Sequence, residues 1–303
     1  MKKLVALTLL VIIVPFLFVK IFIKTDNIKF KYVTNNMIRV KDEKTNQIKE
    51  IPFEDYIKGV VAGEMPVTFE KEALKAQAVA SRSYAMYQMT NTKDKEYDVV
   101  NTTTNQVYLT DEKLKENWKD EYPQKINKIK EAIIETKGEY LTYQGNIVNA
   151  MFFSTSVGKT ENSEEVFVSA LPYLRSVDSK WDESSPVYED TYTFTLKDFY
   201  QKLNLPYNEN LKIEILEKTV TGRIRTLKIN EQEMKGRDFQ NKLSLRSNYF
   251  EIIQDKEKIT INTKGFGHGV GMSQYGANGM AKEGYTYEEI LKHYYKGVEI
   301  KKN

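Results

Sequence analysis

Apolar and polar positions divide the chain into segments of different kinds. Leu4 to Val19 is apolar except for Thr8 and Pro15, and counting on through Ile23 gives 20 residues, near the length that crosses a bilayer. Lys2 and Lys3 precede this run and the polar bulk follows, which places the N-terminus in the cytoplasm. The rival is a cleaved signal peptide. The residues after the run, Lys20, Ile21, Phe22, Ile23 and Lys24, offer no small-x-small cleavage site. The expectation is an uncleaved single-pass anchor over residues 1–24 and an ectodomain over 25–303 outside the cytoplasm.

Residues 28–52 alternate well enough for two or three strands, IKFKYV, MIRVKD and NQIKEIP, with a polar turn from Glu43 to Asn46. The period then changes. Tyr56, Ile57, Val60 and Val61 fall at i, i+1, i+4 and i+5, which predicts a helix from Phe53 to Glu64. Pro66 steers Met65 out of the helical region and ends it. Thr68 is a candidate N-cap for a second, alanine-rich helix to Met89, with Glu70 and Glu72 in its first turn.

Beyond this helix pair, YDVVNTTTNQVYL reads as two short extended pieces around a turn. Pro123 opens a helix to Lys137 that Gly138 stops. EYLTY and IVNAMFFSTS form a hairpin about Gln144 to Asn146. Residues 191–262 read as strands with short helices and hold no cluster of reactive side chains, so they are an accessory insertion. GFGHGVGMSQYGANGM, residues 265–280, has six glycines in sixteen and runs into a helix. Another helix runs from Thr286 to Tyr295, with Thr286 and Glu289 at capping-box spacing. The fold class is α+β: an N-terminal transmembrane helix followed by a mixed α/β ectodomain, its cleft formed by the helix pair and the glycine-rich segment.

Composition narrows the chemistry. With 41% hydrophobic and 29% charged residues the chain is globular. The net charge is +3, but Lys2, Lys3, Lys20 and Lys24 belong to the apolar segment; without them the remainder carries −1, and nothing argues for nucleic acid. The absence of cysteine excludes disulfides, thiolate chemistry and cysteine-ligated metals. Twenty tyrosines suit sugar rings, and equally cores and interfaces.

Glu64 is the candidate catalytic group. It ends a helix, near the negative end of the dipole, among poorly solvating neighbours, and both effects raise a carboxyl pKa. A general acid needs that near neutral pH. Gly59 and Gly63, four apart, share one helix face and let another backbone come close. Lys75 and Arg82, seven apart, share a face of the second helix. If that face looks at Glu64, the site holds one acid and two cations, although a tight ion pair would lower the very pKa that catalysis needs. The alternative is an ordinary helix hairpin with a solvated glutamate. Gly271 to Gly276 nearly spells the G-x-S-x-G elbow around Ser273, with its second glycine one place late, so a serine hydrolase using His268 or His293 is a weaker alternative. The GFGHGVG run lacks the flanking βα pattern of a phosphate loop.

YIKGVVAGEMP followed by EALKAQAVASRSYA resembles the core motif of the stage II sporulation protein D (SpoIID) family. GFGHGVGMSQYGANGMAKEGYTYEEILKHYYKGVEI resembles its second signature, and STSVGKTENSEEVF with LPYLRSV a third segment between them. The resemblance spans residues 51–300 in order. It implies a membrane-anchored lytic transglycosylase that cuts peptidoglycan during spore engulfment, with the family's catalytic glutamate at Glu64. It makes Lys75, Arg82, Ser154, Thr155, Tyr173, Arg175, His268, Gln274 and Tyr275 candidate substrate-binding residues. It also implies a preference for strands stripped of stem peptides, an amidase partner (SpoIIP), the membrane protein SpoIIM, and a place in the engulfing mother-cell membrane. Some members bind zinc through residues matching Thr104, Asn105, Ser156 and Lys159. All four differ from those ligands here, so neither metal nor cofactor is expected. Some relatives are thought to be non-catalytic wall-binding activators of an amidase, which is the second functional reading.

Overall fold

The computed structural model describes residues 36–255 and 258–302. The anchor expected over residues 1–24 and the strand IKFKYV lie outside the described residues. Among the described residues no helix is long and apolar enough to cross a membrane.

The chain enters through β1 (Met37–Lys41) and β2 (Ile48–Pro52), an antiparallel pair whose polar turn puts Asn46 at positive φ. α1 (Phe53–Glu64) follows with the predicted bounds. α2 (Lys71–Asn91) begins three residues beyond Thr68. Pro66 to Phe69 form a turn closed by Phe69 N–H on the Pro66 carbonyl, and the Glu70 N–H goes to Asn278 Oδ1 at 2.8 Å. Thr68 therefore caps nothing.

α2 is the centre of the main core. Ala73, Leu74, Ala76, Ala78, Val79, Ala80 and Ala85 are fully buried. Small side chains let other elements approach it from several sides. These are α1, α4 (Tyr122–Glu135), β4 (Glu139–Tyr143), α7 (Gln274–Lys282) and α8 (Tyr287–Tyr294).

Three shorter elements depart from expectation. α3 (Asp111–Trp118) precedes α4; of its side chains only Leu114 is buried, so it shows no apolar period to read. In YDVVNTTTNQVYL only β3 (Val99–Val100) is a strand, parallel to β1. The hairpin is short: β4 pairs with β5 (Asn146–Ile147) over two residue pairs, and its other edge takes β14 (Glu299–Lys302). The chain continues to β6 (Phe152–Phe153), which pairs parallel with β13 (Met272–Ser273). Sequence segments 120 residues apart thus meet beside the N-terminus of α7.

Residues 189–264 form a second unit with its own apolar cluster, including Phe199, Leu227, Phe239 and Ile261. One sheet runs β11 (Phe250–Gln254), β12 (Lys258–Lys264), β7 (Glu189–Thr195); another runs β10 (Gln232–Lys235), β9 (Ile224–Ile229), β8 (Ile213–Lys218). Helices α5 (Leu196–Leu203) and α6 (Gly236–Leu243) bury Phe199 and Phe239 against each other. Arg223 ties this unit to the glycine-rich segment. It is fully buried, donates to Ser247, Asn248 and the Gly267 carbonyl, and lies 3.6 Å from Glu161.

Candidate active site

Glu64 stands at the C-terminal end of α1, half-buried above Met65, which is buried. Its Oε1 accepts the Val107 backbone N–H at 2.6 Å, and its Oε2 lies 3.5 Å from the Gln274 amide nitrogen. The first contact exists because of the two glycines. A Cβ on Gly59 would lie 2.4 Å from the Tyr108 ring, and one on Gly63 would lie 2.8 Å from the Val107 carbonyl. Without side chains there, residues 107–109 run across α1, and Leu109 N–H bonds the Gly59 carbonyl at 3.2 Å. The glycine spacing thus delivers a backbone donor to the carboxylate.

Burial pushes the Glu64 carboxyl up to about 7; the Val107 and Gln274 hydrogen bonds favour the ionised form but only in part offset desolvation. Neither Lys75 nor Arg82 contributes. The face of α2 that carries them is engaged elsewhere, which corrects the picture of one acid between two cations. Arg82, 1% exposed, makes a two-pronged pair with Glu54, Nε to Oε1 and Nη2 to Oε2 each at 2.9 Å, and donates to the Glu139 carbonyl. Lys75 pairs with Glu72 at 2.8 Å and Glu135 at 3.6 Å, over the ring of Tyr287. The conflict between a nearby cation and a raised pKa therefore does not arise.

Gln274 is held from behind. Its amide nitrogen also lies 3.4 Å from Gln77 Oε1, and Gln77 in turn donates to Ser81 within α2. Gln274 is the first residue of α7, whose N-cap is Ser273: its hydroxyl accepts the Gly276 N–H. Asp182 fixes that cap. Buried, it accepts the hydroxyls of Ser273 at 2.5 Å, Ser179 at 2.5 Å and Ser156 at 2.7 Å. Sequence reasoning missed Asp182, since SKWDESSP gives no periodic signal, and Gln77, one polar residue in an alanine-rich helix. The Val107 donor was legible only indirectly, through Gly59 and Gly63.

The remaining candidates divide into two groups. Gln274 reaches Glu64, and the next residue, Tyr275, bonds the Ser154 carbonyl through its N–H at 3.0 Å, so Ser154, Gln274 and Tyr275 lie on the Glu64 side; Thr155, expected there too, is fully buried, its hydroxyl 3.1 Å from that of Ser185, and it braces the loop instead. The Tyr275 ring packs edge-on against Phe69. Tyr173 and Arg175 do not join this group. Tyr173 is buried against Tyr143, its hydroxyl accepting the Asn149 N–H. Arg175 clamps its own loop through Glu164 and the Leu171 and Leu174 carbonyls. His268 lies between Phe153 and Phe167, and its Nδ1 accepts the Val270 N–H at 3.1 Å. Burial pushes its imidazole down to about 3, so it is neutral at physiological pH and a wall rather than a proton carrier. His293 packs on Trp181 and contacts the Asp178 carbonyl, and Ser273 serves Asp182, so no serine–histidine pair is assembled.

In the glycine-rich segment, Gly265, Gly267, Gly269 and Gly271 all have positive φ, between 75° and 100°. At Gly271 a Cβ would lie 2.0 Å from the Met151 carbonyl. The chain can therefore press against residues 151–155 and bring Gln274 to Glu64. Among the described residues no group of three or more His, Cys, Asp or Glu side chains is arranged to hold a metal ion.

The family model SpoIID, described as stage II sporulation protein, matches residues 41–143. The chain is similar to "Stage II sporulation protein D" of Bacillus subtilis (strain 168), 46% identical over 258 residues, which is 84% of this chain and 75% of the relative. Its counterpart in Bacillus amyloliquefaciens is 45% identical over 260 residues, 84% and 76% of the two chains. "Amidase enhancer" of Bacillus subtilis (strain 168) is 30% identical over 299 residues, 80% of this chain but 40% of that protein.

Proposed function

The chain belongs to the stage II sporulation protein D family, and from that premise we propose that it is a lytic transglycosylase of the sporulation cell wall, anchored in the membrane by residues 1–24. The observation that carries the reading is the state of Glu64. Its carboxyl, pushed up to about 7 and free of any cation, can hold a proton near neutral pH and release it to a substrate.

The bond cut is the glycosidic bond between N-acetylmuramic acid and N-acetylglucosamine. Glu64 gives its proton to the glycosidic oxygen as the anomeric C–O bond breaks. The muramyl 6-hydroxyl oxygen then bonds to the anomeric carbon, and its proton passes to the Glu64 carboxylate. The carboxyl is restored, and the product is a 1,6-anhydro sugar. Because the sugar supplies its own nucleophile, one acid suffices where ordinary glycosidases use two. Val107 N–H and the Gln274 amide orient the carboxylate and moderate the rise of its pKa. Ser154 and Tyr275 are proposed to meet the sugar hydroxyls. By family resemblance the substrate is peptide-stripped strands made by SpoIIP, in a complex with SpoIIM.

Glu64→Gln tests the assignment. It should abolish cutting while glycan binding and fold persist; full activity in that variant would refute the role of Glu64. A second reading has one observation in its favour, the 30% identity to a protein named amidase enhancer. A chain of that kind would bind glycan and stimulate an amidase with no cutting of its own. Stimulation of the amidase by wild type and Glu64→Gln alike, without glycan products from either, would favour it.

A further inference from the structure

We propose that the cleft between the 164–168 loop and the second unit is a further glycan subsite, which reads the free carboxylate of a peptide-stripped muramyl residue through Arg237. The inference rests on the glycan-cutting reading above and assigns part of its substrate preference to named residues.

The cleft is a cavity of about 800 Å³. Gly267 and His268 line it from the glycine-rich segment, Phe167 and Val168 from the loop, and Arg237 and Asn241 from α6. The Phe167 ring meets His268 edge-on at 5.7 Å, and the Arg237 guanidinium lies over the same ring at 5.8 Å. Two aromatic walls and a side-chain amide suit a sugar with an N-acetyl group.

Charge selects the ligand. Of the acids lining the cleft, Glu164 is clamped by Arg175 and Glu165 by Arg225. That leaves Lys235 and Arg237 against Asp238. Arg237 is exposed, and among the described residues it has no carboxylate partner; its one hydrogen bond is a 3.4 Å contact to the Val166 carbonyl. It is a cation held in place by a ring, with its planar fork free. That fork fits a carboxylate with two parallel hydrogen bonds and cannot make the same pair with an amide. Removal of a stem peptide converts the lactyl amide of each muramyl residue into such a carboxylate. His268, kept neutral by burial, adds no competing charge. A strand seated here rests on the segment that, six residues on, supplies Gln274 to Glu64, so the cleft and the candidate active site share one support.

The test uses the full-length chain carrying Glu64→Gln, which binds without cutting, in detergent. The probes are a peptide-free oligosaccharide of alternating muramyl and glucosaminyl residues and the same oligosaccharide with its lactyl carboxylates converted to methylamides. Titration calorimetry should show the carboxylate form binding roughly tenfold or more tighter, the worth of a charge-assisted hydrogen bond. Adding Arg237→Gln should remove that preference by weakening the carboxylate form alone, and Arg237→Lys should keep part of it. Equal affinity for both probes, a preference untouched by Arg237→Gln, or no binding of either probe overturns the proposal. Wild-type cutting of stripped strands is followed in parallel. Cutting with a preference indifferent to Arg237 refutes the subsite alone. A preference that depends on Arg237 without anhydro products refutes the transglycosylase reading alone.

Discussion

Replacing Glu64 with glutamine should make the protein more stable, and only where the native carboxyl is ionised. The amide keeps the shape of a protonated carboxyl, and its oxygen can still accept the Val107 N–H that now lies 2.6 Å from Oε1. What it removes is the cost of a desolvated charge. In the folded protein Glu64 binds its proton up to about pH 7, against an ordinary value of 4.5. A carboxyl with a raised folded-state pKa adds stability that is fully present below the unfolded value and lost as pH rises through the folded one. The gap from 4.5 to about 7, at about 1.36 kcal/mol per pH unit, amounts to about 3 kcal/mol once pH exceeds 7. Glutamine does not titrate and escapes this loss. Other titrating groups are common to both proteins and cancel in the difference. Thermal unfolding of wild type and Glu64→Gln should therefore nearly coincide at pH 4.5. At pH 8 the variant should melt roughly 6–12 °C higher, since about 1 kcal/mol moves the midpoint of a large domain by roughly 2–4 °C. A difference in Tm that is the same at both pH values, or a wild type more stable at pH 8, would refute the claim that Glu64 is held against ionisation.

Three further outcomes follow from the same geometry. The kcat/KM for stripped strands should fall tenfold per pH unit above about 7, because Glu64 must be protonated to act; a pH–rate profile flat to pH 9 would contradict this. Gly63→Ala should drive a Cβ to within 2.8 Å of the Val107 carbonyl, cost about 1–3 kcal/mol, and lower kcat by displacing the donor to Glu64, as urea unfolding and turnover together would show. Arg82→Ala leaves Glu54 buried and unpaired and should cost about 3–5 kcal/mol in urea unfolding; a stable variant with impaired glycan binding would instead return Arg82 to the substrate.

What could be read from the residues was what repeats or punctuates. The α1 bounds follow from an apolar face ended by Pro66, and α8 from its capping box, in which Thr286 and Glu289 cap each other as their spacing indicates. The close approach at Gly59 and Gly63 also follows, because two glycines on one helix face have few other uses. The partners of charged side chains do not. Arg82 and Lys75 share a face of α2, but whether that face meets Glu64 or Glu54 depends on how α1 lies across α2, which no local pattern encodes. The same holds for Arg175, whose partner Glu164 is eleven residues back on a folded loop. Asp182 and Gln77 owe their roles wholly to tertiary contacts. α3 was illegible because a helix with a single buried side chain has no face to display.

Mass spectrometry of the products from peptide-free glycan strands, cut by the wild-type chain beside Glu64→Gln, tests the central claim most directly. The account predicts 1,6-anhydromuramyl ends from the wild type and none from the variant. Reducing ends in place of anhydro ends, or anhydro products from Glu64→Gln, would contradict it.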